Sequence, residues 1–399
     1  MKRTTVAVVG AFLFAPGLAR SQASFEIELQ PSIESFTEAD ASGEVRGAVS
    51  GDATAEYEYA GRRGRVYYTL DAGSFAIEGD WRYFQHDAGI VHRLGGEKRR
   101  VYLGVSGRLR RNGEAWSAAD YQGFSAMANV EWVIAPTVNL RVGTRLDARR
   151  FADLPELDQL QPDGFVSLLV NLPSRTTLLG EVHLGGKWYE GAALSASSAS
   201  AHAPARWETS GRGRGMGPQV RPGAISSPWL EGTVTRAGQV SWMARVAQSL
   251  TDRTGLSLQV SGRSAFGSVP PVLVTTPPAF LDDGVYDDPF ASDALAVGAS
   301  LKHARPGGAV LQASASWQRK DYVAAPALDA SGFALPGAEL RSDEVWRAQA
   351  GASFPLWPAR TGRWSVALDV TGFLVHRRSN DAFYDYASRG FLMGLALAY

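Results

Sequence analysis

The closing residues of the chain alternate in size with a period of two. Arg389, Phe391, Met393, Leu395, Leu397 and Tyr399 fall on one side, and Gly390, Leu392, Gly394, Ala396 and Ala398 on the other. In an extended strand successive side chains point to opposite faces, so one face here is bulky and apolar and the other mostly small. A sheet built from such strands must hide half of its side chains from water, either against a second layer or against lipid.

The same period recurs along the chain. Leu256, Leu258 and Val260 oppose Ser257, Gln259, Ser261 and Arg263, and Leu311, Ala313, Ala315 and Trp317 oppose Gln312, Ser314, Ser316 and Gln318. In the first half, Val138, Leu140, Val142 and Leu146 oppose Asn139, Arg141, Arg145 and Asp147. Strands are expected near 25–36, 53–60, 66–72, 74–84, 87–95, 99–111, 121–133, 138–151, 163–172, 176–188, 229–237, 240–249, 255–264, 294–303, 308–320, 343–354, 363–376 and 388–399. Most are long enough to cross a bilayer at a tilt. Their number is eighteen, with sixteen as the alternative, since 66–72 and 74–84 form an unusually short pair. Long connections should all follow odd strands if both chain ends lie on one side, and the longest, 189–228, breaks that rule in the eighteen-strand count.

The fold class expected is all-β, a single transmembrane antiparallel β-barrel. One open sheet of that many strands is uncommon, and soluble β-domains are usually far shorter. No fixed-period repeat points to a β-helix. Trp81, Trp132, Trp188, Trp229, Trp346 and Tyr399 stand at strand ends, as aromatic girdles at the two lipid–water boundaries would.

The leader supports a secretory route. Lys2 and Arg3 precede an apolar stretch interrupted by Gly10, Pro16 and Gly17, and Ser21-Gln22-Ala23 offers small residues for a processing site. Residues 1–23 are therefore expected to be a signal peptide and 24–399 the barrel. The full chain has 40 basic and 40 acidic residues; the leader holds three of the basic ones (Lys2, Arg3, Arg20), which leaves the mature chain at −3. No basic excess marks a nucleic-acid partner. With no cysteine in 399 residues, disulfide and Cys-based metal chemistry are excluded, and no cofactor is expected.

If the apolar face meets lipid, the other face lines the interior. Those positions carry Tyr102, Arg108, Arg110, Asn129, Glu131, Arg141, Arg145, Asp147, Arg149, Glu181, His183 and Lys187, then Arg245, Arg263, Lys302, Lys320, Arg347 and Asp369. The wall is charged with both signs, with an Arg-rich patch over 99–151. Guanidinium groups offer planar donors to carboxylate, phosphate or hydroxyl groups. Charges of either sign also brace one another across strands, so the pattern suits a hydrated passage without naming its cargo.

The long connections read as polar and flexible. Segment 189–228 is rich in Ser, Ala and Gly, which favours disorder over an inward plug. Segment 265–293 carries Asp282, Asp283, Asp287 and Asp288, whose spacing fits a solvated acidic loop better than an EF-hand. An enzyme would need a nucleophile with a base. His183 beside Glu181 is the best pairing, with Ser257 or Ser261 as partners, but no GxSxG or HExxH pattern occurs. No enzymatic activity is expected.

The final hairpin, Ser379-Asn380-Asp381-Ala382-Phe383-Tyr384-Asp385-Tyr386 and then Gly390 to Tyr399, resembles that of Gram-negative outer-membrane barrels. Leu168-Val170-Asn171-Leu172-Pro173-Ser174-Arg175 with Gly180-Glu181-Val182 has the same character. The layout is similar to the stand-alone barrels of myxobacterial polysaccharide export. That resemblance implies a passive conduit for a secreted polysaccharide, served by a separate periplasmic export protein. It also implies outer-membrane lipid as surroundings and recognition of the C-terminal strand ending in Tyr399 by the barrel-assembly machinery. A porin for small solutes is the alternative, and an outer-membrane enzyme or a structural surface barrel a third class.

Overall fold

The computed structural model describes residues 22–38, 44–59, 63–76, 81–114, 117, 120–153, 155, 158–189, 236–267, 289–329, 334–337, 339–357, 365–382 and 384–398. The expected signal peptide lies almost wholly outside them, as do Trp229, Tyr399 and Asp282, Asp283, Asp287 and Asp288.

Among the described residues sixteen antiparallel strands close on themselves: β1 (Gln22–Glu38), β2 (Glu44–Tyr59), β3 (Gly64–Ala76), β4 (Trp81–Gly95), β5 (Arg99–Asn112), β6 (Tyr121–Ala135), β7 (Val138–Phe151), β8 (Gln159–Leu172), β9 (Thr176–Tyr189), β10 (Arg236–Ser249), β11 (Thr254–Gly267), β12 (Ser292–Ala304), β13 (Val310–Pro326), β14 (Leu340–Trp357), β15 (Ser365–Ser379) and β16 (Tyr386–Ala398). Each strand pairs with its sequence neighbours, and β1 pairs with β16, with Glu26 opposite Ala398 and Glu38 opposite Tyr386. Closure satisfies every edge, the condition for strands to stand in a bilayer.

The expected count of eighteen is corrected to the alternative of sixteen. Segments 66–72, 74–84 and 87–95 are two strands, β3 and β4: Gly73 does not end a strand but pairs with Ser50 and Tyr83. Residues 236–237 and the expected segment 240–249 belong to one strand, β10, which runs through Gly238, while 229–235 lie outside the described residues. Gly238 is not a turn because the ring of Phe266 lies where its Cβ would be, 2.2 Å from the nearest ring carbon. With sixteen strands the connections 190–235, 268–291 and 327–339 all follow odd strands, so they emerge on one end of the barrel. The short turns 96–98, 136–137, 173–175 and 250–253 follow even strands at the other end.

Registers carry one face unbroken round the wall. The residues of the expected lipid face are exposed, large and apolar, among them Leu103, Phe124, Val166, Leu184, Val240, Leu258, Val297, Leu374, Phe391 and Leu395. Leu184 is 60% exposed, a state that water would penalise and acyl chains favour. Trp346 and Trp357 stand outward near opposite ends of β14. A bulge between Pro355 and Trp357 lets both face outward, and their partners His376 and Val366 on β15 are ten residues apart, about 33 Å at ~3.3 Å per residue and about 25 Å after a tilt of about 40°, the height of the apolar band of such barrels. Trp188 joins the long-connection end. Trp132 joins the short-turn end, with the Arg99 guanidinium 5.9 Å from its ring. Trp81 opens β4 at the long-connection end. A closed sheet with this jacket is an integral barrel of the outer-membrane type.

Candidate functional site: the inner wall

The opposite face carries the charges. Arg108 donates through Nη2 and Nε to Asp87 Oδ2 on β4, at 2.7 and 2.9 Å. Arg110 lies over the Tyr83 ring at 4.4 Å and donates to Asn112 Oδ1 at 3.2 Å and to Gln85 at 3.4 Å. Glu131 accepts from Arg100 at 3.3 Å and from the Tyr102 hydroxyl at 3.2 Å. Arg141 donates to Asn129 Oδ1 at 2.9 Å and lies 5.5 Å from the Phe165 ring. Arg145 holds Asp147 at 2.7 Å and reaches Ser125. Arg149 lies 5.2 Å over Tyr121. Arg100 with Glu131 and Arg108 with Asp87 are opposite charges directly across the sheet, whereas Arg145 and Asp147 brace each other two residues apart on β7.

On β9, His183 is held from both sides. Its Nε2 is 2.7 Å from Glu181 Oε1 and its Nδ1 is 3.0 Å from Asp163 Oδ1, and the ring stacks on Phe165. With both ring nitrogens bonded to carboxylates, neither is available to take a proton from serine. Ser257 instead accepts from Arg245 Nε at 2.8 Å, and Ser261 pairs with Met243 and Ala296, one strand beyond the Ser241 that faces His183. No nucleophile–base pair is assembled at this histidine.

Arg263 clamps the start of β12, donating to Ser292 Oγ at 2.8 Å and to Ser292 O at 3.3 Å. Arg347 reaches Gln318 at 3.5 Å. Lys302 stands between Gly255 and Gln312, and Asp369 between Ser353 and Gly394, in the same inward register. Lys320 faces Asp343 and Lys187 lies over Tyr189 at 5.3 Å.

Burial divides the wall by height. Arg245, Lys302 and Arg347 are exposed, although they face inward, so the barrel interior is open to water at their level. Toward the long connections the inward side chains are packed together: Arg110, Tyr121, Gln159, Lys187, Gln239, Lys320, Tyr322, Arg341, Asp343 and Arg377 are all buried. The tightest part of this collar is ionic. Asp343, wholly inaccessible, accepts from Arg341 Nη2 at 2.7 Å, from Arg377 and from Ser379 Oγ at 2.7 Å. The Arg341 guanidinium is sandwiched against Tyr384 at 3.1 Å and Tyr322 at 4.2 Å. Asp381 ties the next connection to the loop after β13 by accepting from Leu328 N at 3.2 Å.

These contacts correct the expectation of flexible connections where residues are described. Ala327 and Leu328 are buried, Ala327 N bonds to Glu339 O at 2.8 Å, and Leu328 pairs with Ala334. A short 3-10 turn, Pro289–Ala291, also folds onto the inner wall, with Phe290 and Ala291 buried. Gln239 donates to Pro289 O. Beside this turn lies a recess of about 270 Å³ lined by Arg149, Gln159, Gln161, Asp163, His183 and Ser241, among others. Asp87, Asp163, Arg341 and Asp343 are absent from the sequence-derived wall. Parity alone would find Asp87 and Asp163, but Arg341 precedes the expected strand start, and nothing periodic marks Phe290. Among the described residues no group of His, Asp and Glu is placed to hold a metal ion.

No protein-family model matches the chain. No curated protein matches it. Among solved structures it is similar to OccAB1 of Acinetobacter baumannii (9% identity, 96% of this chain and 98% of that one, TM-score 0.49). It is also similar to the outer membrane protein OpdK of Pseudomonas aeruginosa (11%, 95% and 99%, TM-score 0.43). A third is a bacterial polysaccharide outer membrane secretin (9%, 94% and 97%, TM-score 0.46). Superpositions this loose specify neither strand number nor cargo.

Proposed function

We propose that the chain is a passive outer-membrane channel for small hydrophilic solutes. The observation that carries this reading is the division of the inner wall: water-exposed basic side chains on one level, a packed polar collar on the level above. A barrel of sixteen strands leaves an aqueous lumen unless something fills it. Water-exposed Arg245, Lys302 and Arg347 argue for such a lumen. The collar of Arg341, Asp343, Arg377 and their tyrosines narrows it at the end of the long connections, which face the outside in barrels of this type. A narrowed mouth suits single solutes better than a continuous polymer, so uptake or exchange of small molecules takes precedence over polysaccharide export. His183, held by two carboxylates, is a wall residue in this reading and not a catalytic base.

Purified full-length protein reconstituted in a planar bilayer is expected to give stepwise conductance in potassium chloride without any added partner. A folded barrel that stays electrically silent, in a strain whose surface polysaccharide disappears when the gene is deleted, would favour the export reading instead.

A further inference from the structure

The recess of about 270 Å³ on the inner wall exists because one residue there has no side chain. Gly185 on β9 pairs with Asp163 on β8 and with Gln239 on β10, so the three stand side by side on the inward face. A Cβ at Gly185 would lie 3.2 Å from the Phe290 ring and 3.5 Å from Asp163 Oδ2. Glycine therefore forms the floor, and a larger residue would push against both neighbours. The turn Pro289–Ala291, held by Gln239 and followed by the Arg263–Ser292 clamp, closes one side. The volume lies just under the ~300 Å³ at which ligand clefts begin, which suits one small molecule and not a chain.

The polar groups around this floor differ in whether the protein itself satisfies them. The cations are engaged: Arg149 lies over Tyr121, and Lys187 lies over Tyr189 and 6.0 Å from the Phe290 centroid. His183 is held by Glu181 and by Asp163 Oδ1. Among the described residues, however, the side chains of Gln159, Gln161 and Ser241 line the recess without a hydrogen-bond partner, although Gln159 is only 6% exposed. Buried amides are normally satisfied, and leaving one unmet is costly. Each amide offers an acceptor and two donors, and the serine hydroxyl offers both. Asp163 Oδ2, beside the Gly185 floor, adds an acceptor with negative charge. Hydroxyl groups match this whole set, whereas a carboxylate would meet Asp163 with like charge. The Phe290 ring gives the recess an apolar side for the C–H groups of a sugar ring. We infer that the recess binds a neutral monosaccharide, held by Gln159, Gln161, Ser241 and Asp163. This inference rests on the channel reading above and names the class of solute that the channel selects.

The test measures binding apart from conduction. Full-length protein in detergent, checked for the heat-dependent shift in electrophoretic mobility that marks a folded barrel, is titrated with glucose, galactose and gluconate by saturation-transfer NMR. At least one of the two neutral sugars should give a saturable signal, and gluconate, the anion of similar size, should bind more weakly. Gln159→Leu and Gln161→Leu should each weaken the sugar by about ten-fold, the loss of one or two hydrogen bonds. If Gln159→Leu fails to fold, Gln161→Leu, whose side chain is only half-buried, decides by the same readout. No saturable signal with either sugar in folded wild type would assign the recess to water and overturn the site. Unchanged affinity in the folded variants, or tighter binding of gluconate, would overturn it equally. Conductance of wild type in potassium chloride is recorded separately. A conducting barrel that binds neither sugar loses the site and keeps the channel reading, whereas a silent barrel that binds sugar overturns the channel reading and with it the transport role of the site.

Discussion

At the scale of the residue, ion pairs in this protein differ sharply in what they contribute. Asp343 is inaccessible and satisfies two guanidinium groups and a hydroxyl. Asp343→Ala strands both Arg341 and Arg377 in the collar, and removing one partner of a buried pair costs about 3–5 kcal/mol. The temperature of the heat-modifiable mobility shift should fall markedly, and Asp343→Asn, which keeps one acceptor, should fall less. Arg175 pairs with Asp252 between two short turns, with side chains 63% and 85% exposed. Arg175→Ala should change the same temperature little, as exposed pairs contribute about 0–1 kcal/mol. Equal losses from the two substitutions would show that the collar is not the stabilising contact its geometry describes. Residues of this kind are only partly legible in the sequence. Arg108, Arg145 and His183 are found by parity alone, but Asp87 and Asp163, the partners of Arg108 and His183, come from neighbouring strands, and register is needed to bring them together.

At the scale of the element, parity identifies most strands, and it fails where glycine interrupts it. The alternation of β12 separates Leu295, Val297 and Leu301 from Ala296, Gly298 and Ser300, and the structure keeps that division. Val297→Arg puts a charge on the exterior near the middle of the strand, at a cost of about 2–4 kcal/mol at the bilayer midplane. Ser300→Arg faces water and should be tolerated. The fraction of folded barrel recovered after refolding into lipid vesicles measures both; equal yields would refute the assignment of faces. The same parity misreads β3, β4 and β10 because Asp71-Ala72-Gly73-Ser74 and Gly238-Gln239 have the composition of turns. In the structure Gly238 is completed by the Phe266 ring, a cross-strand partner that local composition does not reveal. The turn at Pro289–Ala291 escapes notice for a related reason: three residues carry no period, and their place is fixed by Gln239, Gly185 and Arg263 from other strands.

At the scale of the whole molecule, sixteen strands, closure and the placement of every long connection at one end agree with one another. The eighteen-strand count violates that last condition, so topology itself signals the miscount. The physical consequence of this architecture is a barrel jacketed in hydrocarbon with water within. The sequence has no cysteine, so single cysteines placed one at a time along β12, from residue 295 to 301, report cleanly on their surroundings. In lipid vesicles, a bilayer-soluble quencher should reach probes at 295, 297, 299 and 301, and a water-soluble quencher those at 296, 298 and 300. Uniform quenching along the strand, or the reverse assignment, would contradict the account at its centre.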